Sequence, residues 1–272
     1  METGYKIVNL TDEEMGRFYV DGALPIQLME NQYLVLEDLD GKIIDKFKFQ
    51  NGELKKVNFQ IINSTYIGKI KPKTFEQELA LDLLSDEKIP VKIIRGVYGA
   101  GKDMLMFGKA LEFIEKGSYQ KIIYIRPNVT LKDVPEIGYL RGGVEDKLSW
   151  TLGPLYDKVG GKDAIDSLIE QGKLEMMPLL FIRGRSFENS IVYVTEGQNI
   201  TNEIAKLLLG RIGQNSILMI NADNHQTDNR IYDKDNGIIQ MIEKLEGNPL
   251  FGYVYLSETL RSDTANLANL LD

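Results

Sequence analysis

The chain has no cysteine in its 272 residues and a single histidine, His225. Without thiols there is no disulfide, no thiolate nucleophile and no sulfur-ligated zinc site. One histidine cannot build a histidine-rich metal centre or a two-histidine acid–base pair. No apolar run approaches eighteen residues and the N-terminus is polar, so neither a membrane span nor a signal peptide is expected. A cytoplasmic setting is the expectation that follows. Positive charge is also in deficit: 32 Lys and Arg face 40 Asp and Glu, a formal net charge of −8. That balance excludes a protein that coats nucleic acid with its whole surface, because such affinity is mostly phosphate neutralisation. The hydrophobic fraction of 43% is ample for the core of one large or two small domains.

Against this background one stretch stands out. Val91 to Arg95 is an apolar run that breaks into Gly96-Val97-Tyr98-Gly99-Ala100-Gly101-Lys102-Asp103 and continues from Met104 to Glu115 with apolar residues at helical spacing. It reads as a phosphate-binding loop. A buried strand ends, glycines let backbone N–H groups close around phosphate oxygens, and the next helix presents its positive end to the anion. Lys102 then reaches the outer phosphates. The spacing satisfies G-x-x-x-x-G-K, but the next position, where Ser or Thr would hold magnesium, is Asp103. From Lys92 to Arg126 seven basic residues face three acidic ones, so phosphate chemistry falls in the basic part of an acidic chain. Lys109 and Lys116 are read as helix-face solubilisation.

Residues 1 to about 70 read differently. Tyr33 to Leu36 is a short strand, Asp40-Gly41 a turn, Ile43 to Phe49 a second strand, Asn51-Gly52 another turn and Leu54 to Ile62 a third strand, together a small antiparallel unit. Glu37, Asp38 and Asp40 are read as a solvated turn rather than a metal cluster. Lys69 to Lys73 reads as a linker, and Thr74-Phe75-Glu76-Gln77 caps a helix to about Ser85. The Gln77 amide offers a donor and an acceptor together, which would suit the N6 and N7 edge of adenine; a surface helix position is the plainer reading.

Beyond the loop, strand patterns at Lys121–Ile125, Leu174–Phe181, Ile191–Thr195, Ser216–Asn221 and Phe251–Leu256 alternate with helical ones. Alternation of this kind implies a parallel sheet with helices on both faces and ligands at the carboxyl ends of the strands. Two apolar strands end in polar tips: Thr195-Glu196-Gly197-Gln198 and Asn221-Ala222-Asp223-Asn224-His225-Gln226. Glu196 is placed to activate water, and Gln226 to orient that water or sense the terminal phosphate.

These residues resemble the PhoH family of ATPases, P-loop proteins related to the RecA-like core of superfamily 1 helicases. The resemblance covers most of residues 70 to 272. It is carried by Glu76-Gln77 with Leu79-Ala80, Ile125-Arg126-Pro127, Gly138-Tyr139-Leu140 with Gly142 and Asp146-Lys147, and Pro154-Leu155-Tyr156-Asp157. Further blocks are Ile182-Arg183-Gly184-Arg185-Ser186, Glu196 with Gln198-Asn199, Arg211 with Gly213, Asp223 and Gln226 with Asp228-Asn229, Asn236-Gly237 and Arg261-Ser262. The first seventy residues resemble only the connector that precedes the ATPase in longer members, and no nuclease domain of the kind some members carry is expected.

The resemblance implies an α/β fold: a RecA-like P-loop NTPase with a mainly parallel sheet flanked by helices over 71–272, preceded by a small β-rich subdomain over 1–70. It implies ATP and Mg2+, hydrolysis coupled to RNA or single-stranded DNA, and a homo-oligomer such as a ring. Nucleotide would be held by Gly96 to Met104 with Gln77, and the metal by Asp103, Thr195 and Glu196. Arg211 and Arg261 match family arginines that could act across a subunit interface. Three positions depart from the family. Asp103 replaces Thr, Thr195 replaces Asp before the strand-end Glu, and Ala222 replaces Gly before Asp223. One hydroxyl and one carboxylate have thus changed places. A nucleotide-binding module that no longer hydrolyses is the competing expectation.

Overall fold

The computed structural model describes residues 2–22, 26–127, 153–223 and 235–260. Its N-terminal part is a four-stranded sheet of β1 (Tyr5–Asn9), β2 (Tyr33–Glu37), β3 (Ile43–Gln50) and β4 (Glu53–Lys56), in that spatial order. Helix α1 (Asp12–Asp21) joins β1 to the segment before β2 and is capped by a reciprocal Thr11–Glu14 box. The sheet is mixed, since β1 pairs with β2 in parallel and the remaining pairs are antiparallel. The Asn51-Gly52 turn is formed as its sequence requires, with φ of 55° and 78° at consecutive residues. At the other turn the Asp38 carboxylate accepts N–H bonds from Asp40 and Lys42.

The strand expected over Leu54 to Ile62 is divided. It stops at Lys56, and Ile62 opens a separate hairpin of β5 (Ile62–Ser64) and β6 (Gly68–Ile70). The cause is a second partner for those isoleucines. Ile62, Ile67 and Ile70 pack onto Gly108 further along the chain, where a Cβ would come within 2.7 Å of the Ile67 side chain. The stretch read as a linker therefore begins inside β6.

Helix α2 (Phe75–Ser85) starts at the Thr74 cap, whose hydroxyl accepts from Gln77 N. Next come β7 (Val91–Gly96), α3 (Lys102–Lys116), β8 (Lys121–Ile125), α4 (Gly153–Tyr156), α5 (Lys162–Glu170), β9 (Leu174–Met176), β10 (Ser190–Val194), α6 (Asn202–Leu209), β11 (Ile217–Asp223), α7 (Gly237–Leu245) and β12 (Phe251–Leu256). Six strands form one sheet in the order β12-β7-β11-β10-β8-β9, and every pairing in it is parallel. Successive side chains point to opposite faces, which divides each strand between two cores. Ile94, Ile122, Tyr193 and Met219 pack with α2, α3 and α5 on one face. Ile93, Ile123, Val192 and Ile220 pack with α6 and α7 on the other. The strand expected to reach Phe181 ends at Met176; Pro178 has no N–H for a ladder, and a 3-10 turn follows over Leu179–Phe181.

No helix among the described residues is long and apolar enough to cross a membrane.

Candidate functional site: a phosphate loop facing two polar strand tips

The loop leaves the sheet at Gly96, where a Cβ would stand 2.3 Å from the Leu256 carbonyl oxygen, so only glycine lets β7 lie this close to β12. It enters α3 through Gly101 at φ 84°, and the helix begins at Lys102 with no side-chain cap. First-turn amides have no intrahelical acceptor, so this start is a place for an anion. Gln77 braces the loop from behind. Its Nε2 donates to Ala100 O at 2.9 Å, and its Oε1 accepts from Lys73 N at 2.8 Å. The residue is buried rather than on the surface, and both ends of its amide are engaged within the protein.

Lys102 lies folded over the loop. Its ammonium donates to Gly96 O at 3.1 Å and Val97 O at 2.8 Å and pairs with Asp223 at the tip of β11. Asp103, one residue on, is the hub of a polar cluster. Its Oδ1 accepts from the Tyr193 hydroxyl, from Asn221 Nδ2 and from Thr195 Oγ1, the last at 3.3 Å. Its Oδ2 accepts from Lys158 Nζ at 2.8 Å. Burial opposes ionisation of this carboxyl, but Lys158, the Tyr193 hydroxyl and Lys102 outweigh it and hold Asp103 below the ordinary range. Burial and the charge of Asp103 push Tyr193 well up, so its hydroxyl stays protonated and donates.

Glu196 sits at the tip of β10 in the left-handed region, φ 54°. The following Gly197 permits the bend, since a Cβ there would meet Ile220 Cγ2 at 2.5 Å. The Glu196 carboxylate accepts from Gln198 Nε2 at 2.7 Å and has Arg126 at 3.7 Å. Burial raises its pKa, and the Gln198 bond and Arg126 offset that only in part, so Glu196 is more basic than an ordinary glutamate. Gln198 Oε1 also accepts from Asp223 N at 3.0 Å, tying the two strand tips together. A cavity of about 460 Å³ opens between these groups, lined by Tyr98, Lys102, Asp103, Lys158, Glu196 and Asp223 among others.

The loop residues Gly96 to Met104, Thr195 and Glu196 are therefore brought together. Arg211 is elsewhere: its carbonyl accepts from Phe187 N, just before β10 begins, so it lies at the amino ends of the strands, opposite the loop of its own chain. Gln226, Arg261 and the blocks from Gly138 to Lys147 lie outside the described residues. The basic surface anticipated around the loop is smaller than the sequence suggests. Lys109 is 2% exposed and paired with Glu112, so it is a buried ion pair and not a solubilising group; Lys116 is exposed as read. Lys92 is fully buried and donates to Leu84 O. Sequence reasoning also passed over Tyr193 and Lys158. Tyr193 alternates with Val192 and Val194 and looks like core, and Lys158 lies 55 residues from Asp103 with no motif of its own.

These donors suit a hard cation. The Asp103 carboxylate and the Thr195 hydroxyl are the oxygens it would use, and Asp103 Oδ2 already takes a positive partner in Lys158. Asn221 turns its Nδ2, not its oxygen, towards Asp103, and among the described residues no three His, Cys, Asp or Glu side chains cluster as a metal site would.

Strand, glycine loop and helix, with two polar strand tips closing over the loop lysine in a parallel sheet, define a RecA-like P-loop NTPase fold. Residues 69–268 match the family described as PhoH-like protein, and the chain belongs to that family. It is 35% identical over 202 residues to Protein PhoH2 of Thermobispora bispora, covering 73% of this chain and 46% of that one. It is 30% identical over 285 residues to Protein PhoH2 of Bacillus subtilis, covering 98% and 64%. A PhoH-like protein of Synechocystis is 30% identical over 217 residues, covering 76% and 65%. The chain thus spans between 46% and 65% of the length of these relatives.

Proposed function

We propose that this chain binds ATP on the loop from Gly96 to Met104 and hydrolyses it with magnesium, as a homo-oligomer coupled to RNA or single-stranded DNA. The observation that carries the proposal is the pairing of Lys102 and Glu196 across one cavity, a cation for the outer phosphates facing a carboxylate of raised basicity. Lys102 exchanges its loop carbonyls and Asp223 for phosphate oxygens. Glu196, oriented by Gln198, accepts a proton from the attacking water. Asp103 and Thr195 would hold magnesium, with Glu196 beside them. Magnesium held there would supply neutralisation of phosphate charge as the terminal phosphoryl group passes to water and ADP departs. Gln226 would sense that group. Arg211 sits at the amino ends of the strands, away from its own loop, and Arg261 follows the last strand, so each would serve as an arginine contributed to a neighbour's site, and a ring is the assembly that would use it.

A second reading has its own support. Asp103 already accepts four protein donors, and Thr195 brings no negative charge to the metal side, as expected of a module that binds nucleotide without turnover. Phosphate release, measured with and without magnesium, RNA and single-stranded DNA, separates the two. An ATPase gives magnesium-dependent release that rises with one of the nucleic acids and is absent from Lys102→Ala. No release above that blank under any condition rejects hydrolysis and leaves the binding module.

A further inference from the structure

Lys158 belongs to none of the motifs that define the fold, yet its ammonium lies inside the nucleotide cavity. Its place is fixed. The backbone N–H donates to Leu155 O at 3.0 Å, and the neighbours Leu155 and Val159 are 1% and 3% exposed, so both sides of the residue are anchored in the core. The side chain, 17% exposed, reaches Asp103 Oδ2 at 2.8 Å, the only ion pair it makes among the described residues.

The charge pattern explains why such a group is needed. Thr or Ser is the usual residue after the loop lysine, and neither repels phosphate. Asp103 places a full negative charge at the helix start, beside the path of a polyanion, and Asp157, Glu196 and Asp223 line the same cavity. Lys102 is shared with Asp223. Left unpaired, Asp103 would oppose every phosphate that approached. An ammonium carries three N–H donors, of which Asp103 takes one.

We infer that Lys158 is a resident counter-cation of the nucleotide site. It cancels the charge of Asp103 when no divalent ion is present and offers its remaining N–H donors to the outer phosphates. A divalent cation and Lys158 then compete for Asp103. The site consequently accepts nucleoside triphosphate without metal, which a site built on threonine and magnesium does poorly. The inference rests on the proposal that this cavity binds nucleotide.

The test is a calorimetric titration with the non-hydrolysable analogue AMP-PNP, in excess EDTA and in excess magnesium, on wild type, Lys158→Met and the Lys158→Met/Asp103→Asn double variant. Methionine keeps the apolar stem and removes the charge. Wild type should bind in EDTA within about tenfold of its affinity in magnesium. Lys158→Met should lose at least tenfold in EDTA and less than about threefold in magnesium, where the metal takes its place. The double variant, which no longer holds an unpaired carboxylate, should recover the part of the EDTA affinity lost to that charge, though not the part owed to the Lys158 donors. Thermal unfolding of all three establishes that each is folded, and the double variant keeps the test open if Lys158→Met alone is unstable. Equal losses in both conditions, or no recovery in the double variant, overturn the inference. Wild-type binding seen only with magnesium overturns it while leaving the nucleotide site intact. No wild-type binding in either condition overturns the nucleotide proposal and this inference together.

Discussion

Thr195 Oγ1 donates to Asp103 Oδ1 at 3.3 Å, so the hydroxyl at the tip of β10 and the carboxylate at the start of α3 share one hydrogen bond. Two of the three positions that depart from the family pattern are therefore direct neighbours. Exchange of their side chains keeps the local inventory of one hydroxyl and one charge, and a mutation at either place is felt at the other. Asp103→Thr alone removes the carboxylate that accepts from Lys158 and Tyr193 and leaves Asn221 Nδ2 only the Tyr193 hydroxyl, at a stability cost of roughly 1–3 kcal/mol, and weakens magnesium-dependent nucleotide binding. Thr195→Asp alone sets a second carboxylate beside Asp103 and also weakens it. The double exchange should recover much of both losses, a coupling of at least about 1 kcal/mol in a double-mutant cycle. Strictly additive losses contradict the account.

Glu196→Gln should preserve nucleotide affinity and lower turnover by at least about 100-fold, since the amide keeps the shape but is not a base. In wild type, turnover should fall as pH drops through the raised pKa of Glu196, because the base acts only when ionised. That inflection should lie above the ordinary glutamate value of about 4.3. A pH–rate profile with no inflection on the acid side, or a fully active Glu196→Gln, removes Glu196 from the mechanism.

The loop, the parallel sheet and the two polar tips were legible because each is written locally: glycines where the backbone must close, apolar runs at strand length, an acid at a strand end. What stayed hidden depended on distance. Tyr193 looks like one more core residue until β10 and α3 are seen to place its hydroxyl on Asp103, and Lys158 reaches the site from 55 residues away. Burial of charge was the other blind spot. Lys92 and Lys109 counted as surface basicity, yet the first lies inside the sheet and the second inside α3's packed face. In the N-terminal part β1 shows no clean apolar–polar alternation and α1 carries Gly16 inside it, and the parallel β1–β2 pair is a tertiary contact that no turn residue marks.

Gln77 distinguishes a brace from a base reader. If its amide holds the loop through Ala100, Gln77→Ala should reduce ATP and GTP binding by the same factor, about tenfold, and lower stability by roughly 1–2 kcal/mol for its two hydrogen bonds. Gln77→Glu should be worse, since it sets an oxygen against the Ala100 carbonyl. A loss confined to ATP would assign the amide to the adenine instead.

Lys92 gives a pH signature in the folded state. Burial, partly countered by Asp86 and Glu87, pushes its pKa down to about 7. The unfolded chain therefore holds a proton that the folded chain releases above about pH 7, and this residue makes stability rise with pH from there towards the unfolded value near 10.5. The slope approaches about 1.4 kcal/mol per pH unit. Chemical denaturation of Lys92→Met between pH 7 and 10 should show that rise removed and greater stability at neutral pH. An unchanged slope contradicts the assignment.

In the proposed function the loop from Gly96 to Asp103 is a phosphate site whose cation is Lys102. Its most direct test is an equilibrium titration of magnesium and ATP against wild type and Lys102→Ala, with thermal unfolding of both. Lys102 also pairs with Asp223 and two loop carbonyls, so a small loss of stability is expected in the variant. The account predicts saturable binding by wild type and at least about 100-fold weaker binding by a folded Lys102→Ala. Undiminished affinity in that variant contradicts it.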